Sequence, residues 1–449
     1  MKYDIVIIGG GTAGWLSAAF LSFHNPDKKI CLIESPDIPT IGVGEGTWPT
    51  TMHLLNSIGI SPKELLVKSN GSLKVGIKYV DFSQKDFWLS VEPSTEWEQY
   101  GSELIKNLGL MNKSPVLNDT DFFAMHFIAS DFANLLKEYS LKNNVTYLSA
   151  NVLDSQVKNN ICSAVSLDTG VQIQADWFLD CSGFAKILIK KTNSNFVSYE
   201  NELLVDSAVV GPTQYKDQQK EFSVYTQITA KESGWIFKIP TQTRIGNGYV
   251  YSSKFISPAQ AQEKLASHSG VTSFKHLKMQ LGYYDQLIVG NIVAVGLSGG
   301  FIEPMEATAI HITERTLIAF NDLLAGKITA GLANSGLRNK IRYIKTLILG
   351  HYAFSERKEP FWQAARSAAR SSNEIVDFLD SLKNKQFPTK EDELDVAYPY
   401  CQWNDLLRGF NQPHYYPNIN IQSKKDIYLA TYYLPNHHEY ITNLRKAYE

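Results

Sequence analysis

The chain has 449 residues, enough for two or three lobes at roughly 150 residues per domain, although single-core enzymes of this size are common. A hydrophobic content of 44% with 20% charged residues excludes disorder, collagen and coiled coil. With 43 basic against 45 acidic residues, a net charge of -2 and no basic tract, a sequence-independent nucleic-acid binder is also excluded. Cys31, Cys162, Cys181 and Cys401 form no CxxC pair and the ten histidines include no HExxH, so no disulfide framework or metal site is expected and a reducing, cytoplasmic setting fits. No apolar run reaches the roughly 20 residues of a membrane span, and Asp4 followed by glycines breaks any signal-peptide reading of the start.

The first element is a β-branched run, Tyr3 to Ile8, followed by Gly9-Gly10-Gly11-Thr12-Ala13-Gly14 and a helical stretch from Trp15 that Asn25-Pro26 stops. Glycines at Gly9, Gly11 and Gly14 permit a tight turn, let the backbone of Thr12 and Ala13 approach a pyrophosphate, and bring helix close to strand. The helix N-terminus then faces the phosphate charge. A second strand, Ile30 to Ile33, ends in Glu34, where a carboxylate can accept hydrogen bonds from an adenosine ribose. This is a dinucleotide-binding unit; the bland alternative is a glycine-rich turn.

Further along, Ala175 to Gly183 reads as a buried strand ending at Asp180 and a tight turn, which suits a flavoprotein better than a nicotinamide dehydrogenase. Asn291 to Gly300 is again strand then glycines, beginning with Gly296, and a helix is expected from about Met305 to Ala325 with Gly326 as its stop. Its N-terminus favours anions, both a reduced flavin and a small ion. Three segments thus converge on one FAD site.

Four colinear segments resemble the flavin-dependent halogenases of the tryptophan-halogenase type, from Met1 to about Phe320. They are Gly9 to Trp15 with Ile41-Gly42-Val43-Gly44-Glu45-Gly46-Thr47-Trp48-Pro49; Gly76-Ile77-Lys78-Tyr79; Gly234-Trp235-Ile236-Phe237-Lys238-Ile239-Pro240; and Gly299-Gly300-Phe301-Ile302-Glu303-Pro304-Met305-Glu306-Ala307-Thr308. The resemblance implies that reduced flavin, dioxygen and halide give hypohalous acid, which travels through a tunnel to an aromatic substrate. It implies Lys78 as the amine that captures the oxidant, and Glu306 as the acid that orients it and accepts the ring proton. Gly42, Val43, Gly44 and Glu45 become a strap over the flavin. Thr308 and Ala309 become the halide site, and Trp235, Phe237 and Pro240 the barrier between flavin and substrate. The implied cofactors are FAD, as FADH2 from a separate flavin reductase, and halide. The implied partners are that reductase and a small aromatic molecule, with a homodimer allowed and no nucleic acid or membrane.

Read without the resemblance, Leu73, Val75, Ile77 and Tyr79 alternate with Lys74, Gly76 and Lys78, so a solvated strand face also explains Lys78. Glu306 could be a helix-start acid, Trp235 and Phe237 one face of a core, and His126 and His311 ordinary buried histidines. Two rival functions share the cofactor segments: a single-component aromatic monooxygenase using NAD(P)H, and a non-catalytic FAD-binding protein.

The expected fold class is α/β: a Rossmann-like FAD-binding domain of the GR2/monooxygenase type, interleaved with a mixed sheet and a largely helical C-terminal substrate lobe. Residues 1-330 are expected to form the FAD domain with substrate-lobe segments at about 85-145 and 200-285, and 331-449 the helical remainder. The chain departs from the tryptophan-specific enzymes in substrate recognition. Glu391 to Tyr400 carries no adjacent Phe-Trp pair, and Trp88 to Tyr100 lacks their histidine and phenylalanine motif. An open pocket for indoles or phenols is expected instead, favouring bromide or iodide over chloride.

Overall fold

The computed structural model describes residues 2–39, 42, 44–91, 101–117, 123–383, 400–412 and 421–448. The N-terminal run forms the strand Lys2–Ile8, paired in parallel with Ile30–Glu34 on one side and Gln172–Asp180 on the other. Ile5, Val6, Ile7 and Ile8 are all buried, because helices and loops cover both faces of a parallel sheet and an unbroken apolar run is what such a position demands. Thr146–Ser149 extends this sheet beyond Ile30–Glu34, and Ile292–Ala294 extends it beyond Gln172–Asp180. With Ile288–Val289 and the antiparallel strands Ile161–Leu167 and Val152–Lys158 the sheet reaches eight strands. Rossmann-like parallel order, assembled from segments nearly three hundred residues apart, matches the expected fold class.

A second sheet has seven strands in the order Lys275–Lys278, Ser207–Thr213, Ile245–Tyr251, Gly234–Pro240, Tyr225–Lys231, Gly76–Val80 and Phe87–Ser90. All its pairings are antiparallel except Tyr225–Lys231 with Gly76–Val80. A three-stranded ribbon is made of Glu45–Gly46, Ala124–Phe127 and Ser72–Lys74. The chain passes from this ribbon into the seven-stranded sheet at Val75, whose N–H donates to Val224 O while its carbonyl accepts from Val91.

The first helix ends where Asn25-Pro26 implied, and the one expected from about Met305 to Ala325 runs from Thr308 to Leu324. Thr12–His24 leads from the glycine turn, Thr308–Leu324 follows a short 3-10 turn at Pro304–Glu306, and Ala330–Ala353, Pro360–Arg370, Asn373–Lys383 and Tyr400–Gly409 build the C-terminal part. Among the described residues no helix is long and apolar enough to cross a membrane. Val43, residues 92–100 and the segment 391–399, on which the strap and substrate expectations partly rested, lie outside the described residues.

The glycine turn tolerates no side chain where helix meets strand. A Cβ on Gly14 would lie 1.8 Å from Gly9 O, and one on Gly9, at φ +115°, would lie 2.3 Å from Cys181 O. Gly14→Ala is therefore expected to cost about 2 kcal/mol or more of stability and to abolish flavin retention, read by thermal unfolding and by flavin absorbance after gel filtration.

Candidate active site

The three cofactor segments come together as the sequence implied. Gly11 is the N-cap of Thr12–His24, that helix start has no side-chain cap, and a Cβ on Gly11 would meet nothing within 4 Å. Open space beside uncapped N–H groups fits a pyrophosphate. Glu34 folds over the turn, with its Oε1 2.2 Å from where a Gly10 Cβ would stand, and Lys137 Nζ holds its other oxygen at 3.1 Å. Gly296, at φ +69°, lies against Ala13, so the third segment closes on the first. Asp180 differs in role from the expectation. Its carboxylate is spent on Ser182 N, Ser182 Oγ, Leu188 N and Ile189 N, so it shapes the second turn from within. These cradles fit a flavin dinucleotide.

Of the strap residues, Glu45 pairs across the ribbon with Phe127, and burial pushes its carboxyl up to about 7. A Cβ on Gly42 would lie 3.4 Å from Glu45 Oε1, and Gly44 takes φ +122° against Ile239. Trp235 and Phe237 lie in the core of the seven-stranded sheet, with ring centroids 6.3 Å apart, and Pro240 O accepts from Ser72 Oγ at 2.7 Å. Thr308 begins its helix behind Ala307, which adopts the left-handed φ of +55°, and no side chain caps the first turn shared by Thr308 and Ala309.

Lys78 stands elsewhere than the resemblance placed it. Side chains alternate along a strand. Tyr79 reaches Glu306, so Lys78 points to the opposite face of the sheet. There it pairs with Asp86 at 3.0 Å, its ammonium 5.9 Å from the Trp88 ring centre. The solvated-face reading describes it well. Lys74, four residues earlier and on the other side of the sheet switch at Val75, is fully buried. Its Nζ is 3.4 Å from Thr47 O and 5.7 Å from the Trp48 ring centre, and a Cβ on Gly46 would come within 3.3 Å of it and within 3.4 Å of Ala307. Burial pulls its amine down to about 8, against the opposing pull of Glu306.

Glu306 is likewise fully buried. Tyr79 donates to its Oε1, His351 Nε2 lies 3.1 Å from the same oxygen, and Trp48 Nε1 donates to its backbone carbonyl at 2.9 Å. Among the described residues its Oε2 is buried without a hydrogen-bond partner, an acceptor left open for a proton. Glu303 sits nearby, also buried, and meets Tyr352. The buried polar residues that surround Glu306 and were not singled out from the sequence are Lys74, Tyr79, Glu303, His351 and Tyr352. Lys74 was visible as the other lysine of the alternating run Leu73 to Tyr79; the His351-Tyr352 pair lay in a stretch read only as helix. His126, between the hydroxyls of Ser72 and Thr226, and His311, beside Thr50, are core histidines that burial keeps neutral.

The described residues thus offer a glycine-turn cradle of the kind that fits a dinucleotide and, buried in the same chain, an amine at Lys74 with the carboxyl of Glu306 acting on it. The tryptophan halogenase family model matches residues 4–102 and 106–419. The 7-chloro-L-tryptophan 6-halogenase of Kutzneria sp. (strain 744) is 29% identical over 456 residues, covering 88% of this chain and 87% of its own. The tryptophan 7-halogenase of Lentzea aerocolonigenes is 28% identical, covering 92% and 88%. Among solved structures, the tryptophan halogenase of Shewanella frigidimarina NCIMB 400 superposes with a TM-score of 0.87 at 24% identity, over 99% of this chain and 97% of that one. The tryptophan 6-halogenase of Streptomyces toxytricini gives 0.85 at 25% identity, over 98% and 99%. The chain belongs to the tryptophan halogenase family, and is a flavin-dependent halogenase.

A buried lysine strains the fold. Its folded value of about 8 lies below the ordinary lysine value of about 10.4, so the cost of charging it is fully present below pH 8 and is relieved as pH rises toward the unfolded value. Lys74→Met should therefore raise stability near pH 7 by up to about 3 kcal/mol, with the gain shrinking above pH 8, as measured by denaturant midpoints across pH.

Proposed function

We propose that this chain is an FADH2-dependent halogenase that presents hypohalous acid to an electron-rich aromatic through Lys74 rather than Lys78. The carrying observation is the buried Lys74 amine between Glu306 and the Gly46-Thr47 backbone. Bound reduced FAD supplies, with dioxygen and halide, the two-electron chemistry that yields hypohalous acid. The chain holds that cofactor with Gly9, Gly11, Thr12, Ala13 and Gly14 at the pyrophosphate, Glu34 at the ribose, and the turns at Asp180 and Gly296 beneath it. Gly42, Gly44 and Glu45 would strap it. The open N–H groups at Thr308 and Ala309 take the halide, because a helix start favours an anion.

Burial gives Lys74 access to both of its useful forms near neutral pH. As a neutral amine it attacks the halogen of hypohalous acid, forming N–X and releasing water; as an ammonium it donates a hydrogen bond to the oxygen and polarises the O–X bond. Either way the halogen passes to the ring carbon without its bonding electrons, which stay on nitrogen or on the departing oxygen. The ring proton then goes to Glu306 Oε2, the open acceptor, and returns to the lysine nitrogen or to hydroxide. Trp235, Phe237 and Pro240 wall the substrate from the flavin. A flavin reductase is the partner that supplies FADH2.

Lys74→Ala should abolish halogenation, more than about a hundredfold loss, with FAD still bound, whereas Lys78→Ala should stay within about threefold of wild type. Product formation with reductase, NADH and each halide, read by mass spectrometry, decides it. The reverse pattern would return the role to Lys78.

The substrate proposed is a non-zwitterionic indole or phenol. Free tryptophan brings an ammonium and a carboxylate that need partners when buried, and the sequence from Glu391 to Tyr400 carries no adjacent Phe-Trp pair. In direct competition indole should be consumed faster than tryptophan, at its most electron-rich carbon. Tryptophan winning, with one product at a disfavoured carbon, would contradict the proposal.

A further inference from the structure

Two carboxylic acids three residues apart, Glu303 and Glu306, are fully buried at the site, and the chemistry above uses only the second. Glu303 meets the Tyr352 hydroxyl, 3.0 Å from its Oε1 and 3.2 Å from its Oε2. The Tyr352 oxygen in turn accepts from the Trp235 indole N–H at 3.2 Å. A phenol has one proton to give, so the chain of donation runs from Trp235 through Tyr352 and ends on Glu303.

One neutral hydroxyl is poor support for a buried carboxylate, which presents about four acceptor sites and is costly to charge away from water. The groups that act on Glu303 are Tyr352, from the helix Ala330–Ala353, and Glu306, from its own segment; neither is a cation. Trp235, from the sheet side, does not ionise. Burial first, and Glu306 second, push the Glu303 carboxyl up to about 8 despite the Tyr352 hydrogen bond. Glu306, by contrast, has Tyr79, His351 and the Lys74 amine around it.

We infer that Glu303 is a positioning residue that works as an uncharged acid. It fixes Tyr352, and through it the Trp235 indole, in the wall of the pocket, and it leaves the proton-accepting role beside Lys74 to Glu306. The inference rests on the assignment of the chemistry to Lys74 and Glu306. A negative charge on Glu303 would join Glu306 in favouring the protonated form of Lys74, so the amine keeps access to its neutral form only while Glu303 is uncharged.

The test compares FAD-loaded wild type with Glu303→Gln, which keeps an acceptor for Tyr352 but cannot ionise, and with Glu303→Ala and Tyr352→Phe. Near pH 7 Glu303→Gln should stay within about threefold of wild type, and its activity relative to wild type should rise as pH passes through about 8. Glu303→Ala and Tyr352→Phe should each lose about tenfold or more near pH 7 with FAD retained. Infrared difference spectra between neutral and alkaline pH should show a protonated carboxyl band in wild type that is missing in Glu303→Gln. Absence of that band from wild type, or a Glu303→Gln protein as inactive as Glu303→Ala with FAD bound and thermal midpoint unchanged, would overturn the inference. Failure of wild type to halogenate with any halide would instead overturn the assignment of function, and the infrared band would still decide the state of Glu303.

Discussion

Everything at this site depends on a lysine amine held out of water next to a carboxylate. Lys74 would be an ordinary strand lysine if its ribbon were exposed, but the strand partner Ala124–Phe127, the Trp48 ring and the Gly46-Thr47 backbone close over it. Burial pulls the amine down toward neutrality while the Glu306 carboxylate beside it pulls the other way. The arrangement costs stability and is kept by the weight of packing around it. Trp48 ties the ribbon to the Glu306 carbonyl, Thr50 and Thr51 tie the following helix to the buried Glu314, and Tyr79 ties the large sheet to the Glu306 carboxylate.

The two sheets divide the labour. The parallel one presents glycine turns at the ends of its strands and a helix start, the geometry that accepts a dinucleotide. The seven-stranded one presents aromatic faces and carries Trp235 and Phe237. The three-stranded ribbon carries the amine, and the segment Glu303 to Thr308 carries both acids and the next helix start. The helix Ala330–Ala353 completes the pocket by sending His351 to Glu306 and Tyr352 to Glu303, adjacent residues serving two acids three apart.

Most of the cofactor region was legible in the sequence, because a glycine pattern between a β-branched strand and a helix is a local signal, and Glu34, Gly296 and the Asp180 turn repeat it. The amine was legible only in part. Alternation of apolar and polar residues from Leu73 to Tyr79 treats the run as one strand, and in one strand Lys74 and Lys78 share a face. The chain instead changes sheets at Val75, a break set by pairing with Val224 and Val91, which no local pattern reveals. The supporting acids and aromatics were hidden for the same reason. Glu303 and Tyr352 are unremarkable alone, and their meaning lies in a contact across 49 positions.

The central claim is that Lys74, and not Lys78, is the amine whose proton is loosened by burial beside Glu306. Carbon-13 NMR titration of protein labelled at the lysine ε-carbons tests it directly, with Lys74→Met and Lys78→Met used to assign signals. The account predicts one lysine resonance that titrates near pH 8, disappears in Lys74→Met, and moves in Glu306→Gln. If that low-titrating resonance disappears in Lys78→Met instead, or if every lysine titrates at the ordinary value of about 10.4, the account is contradicted.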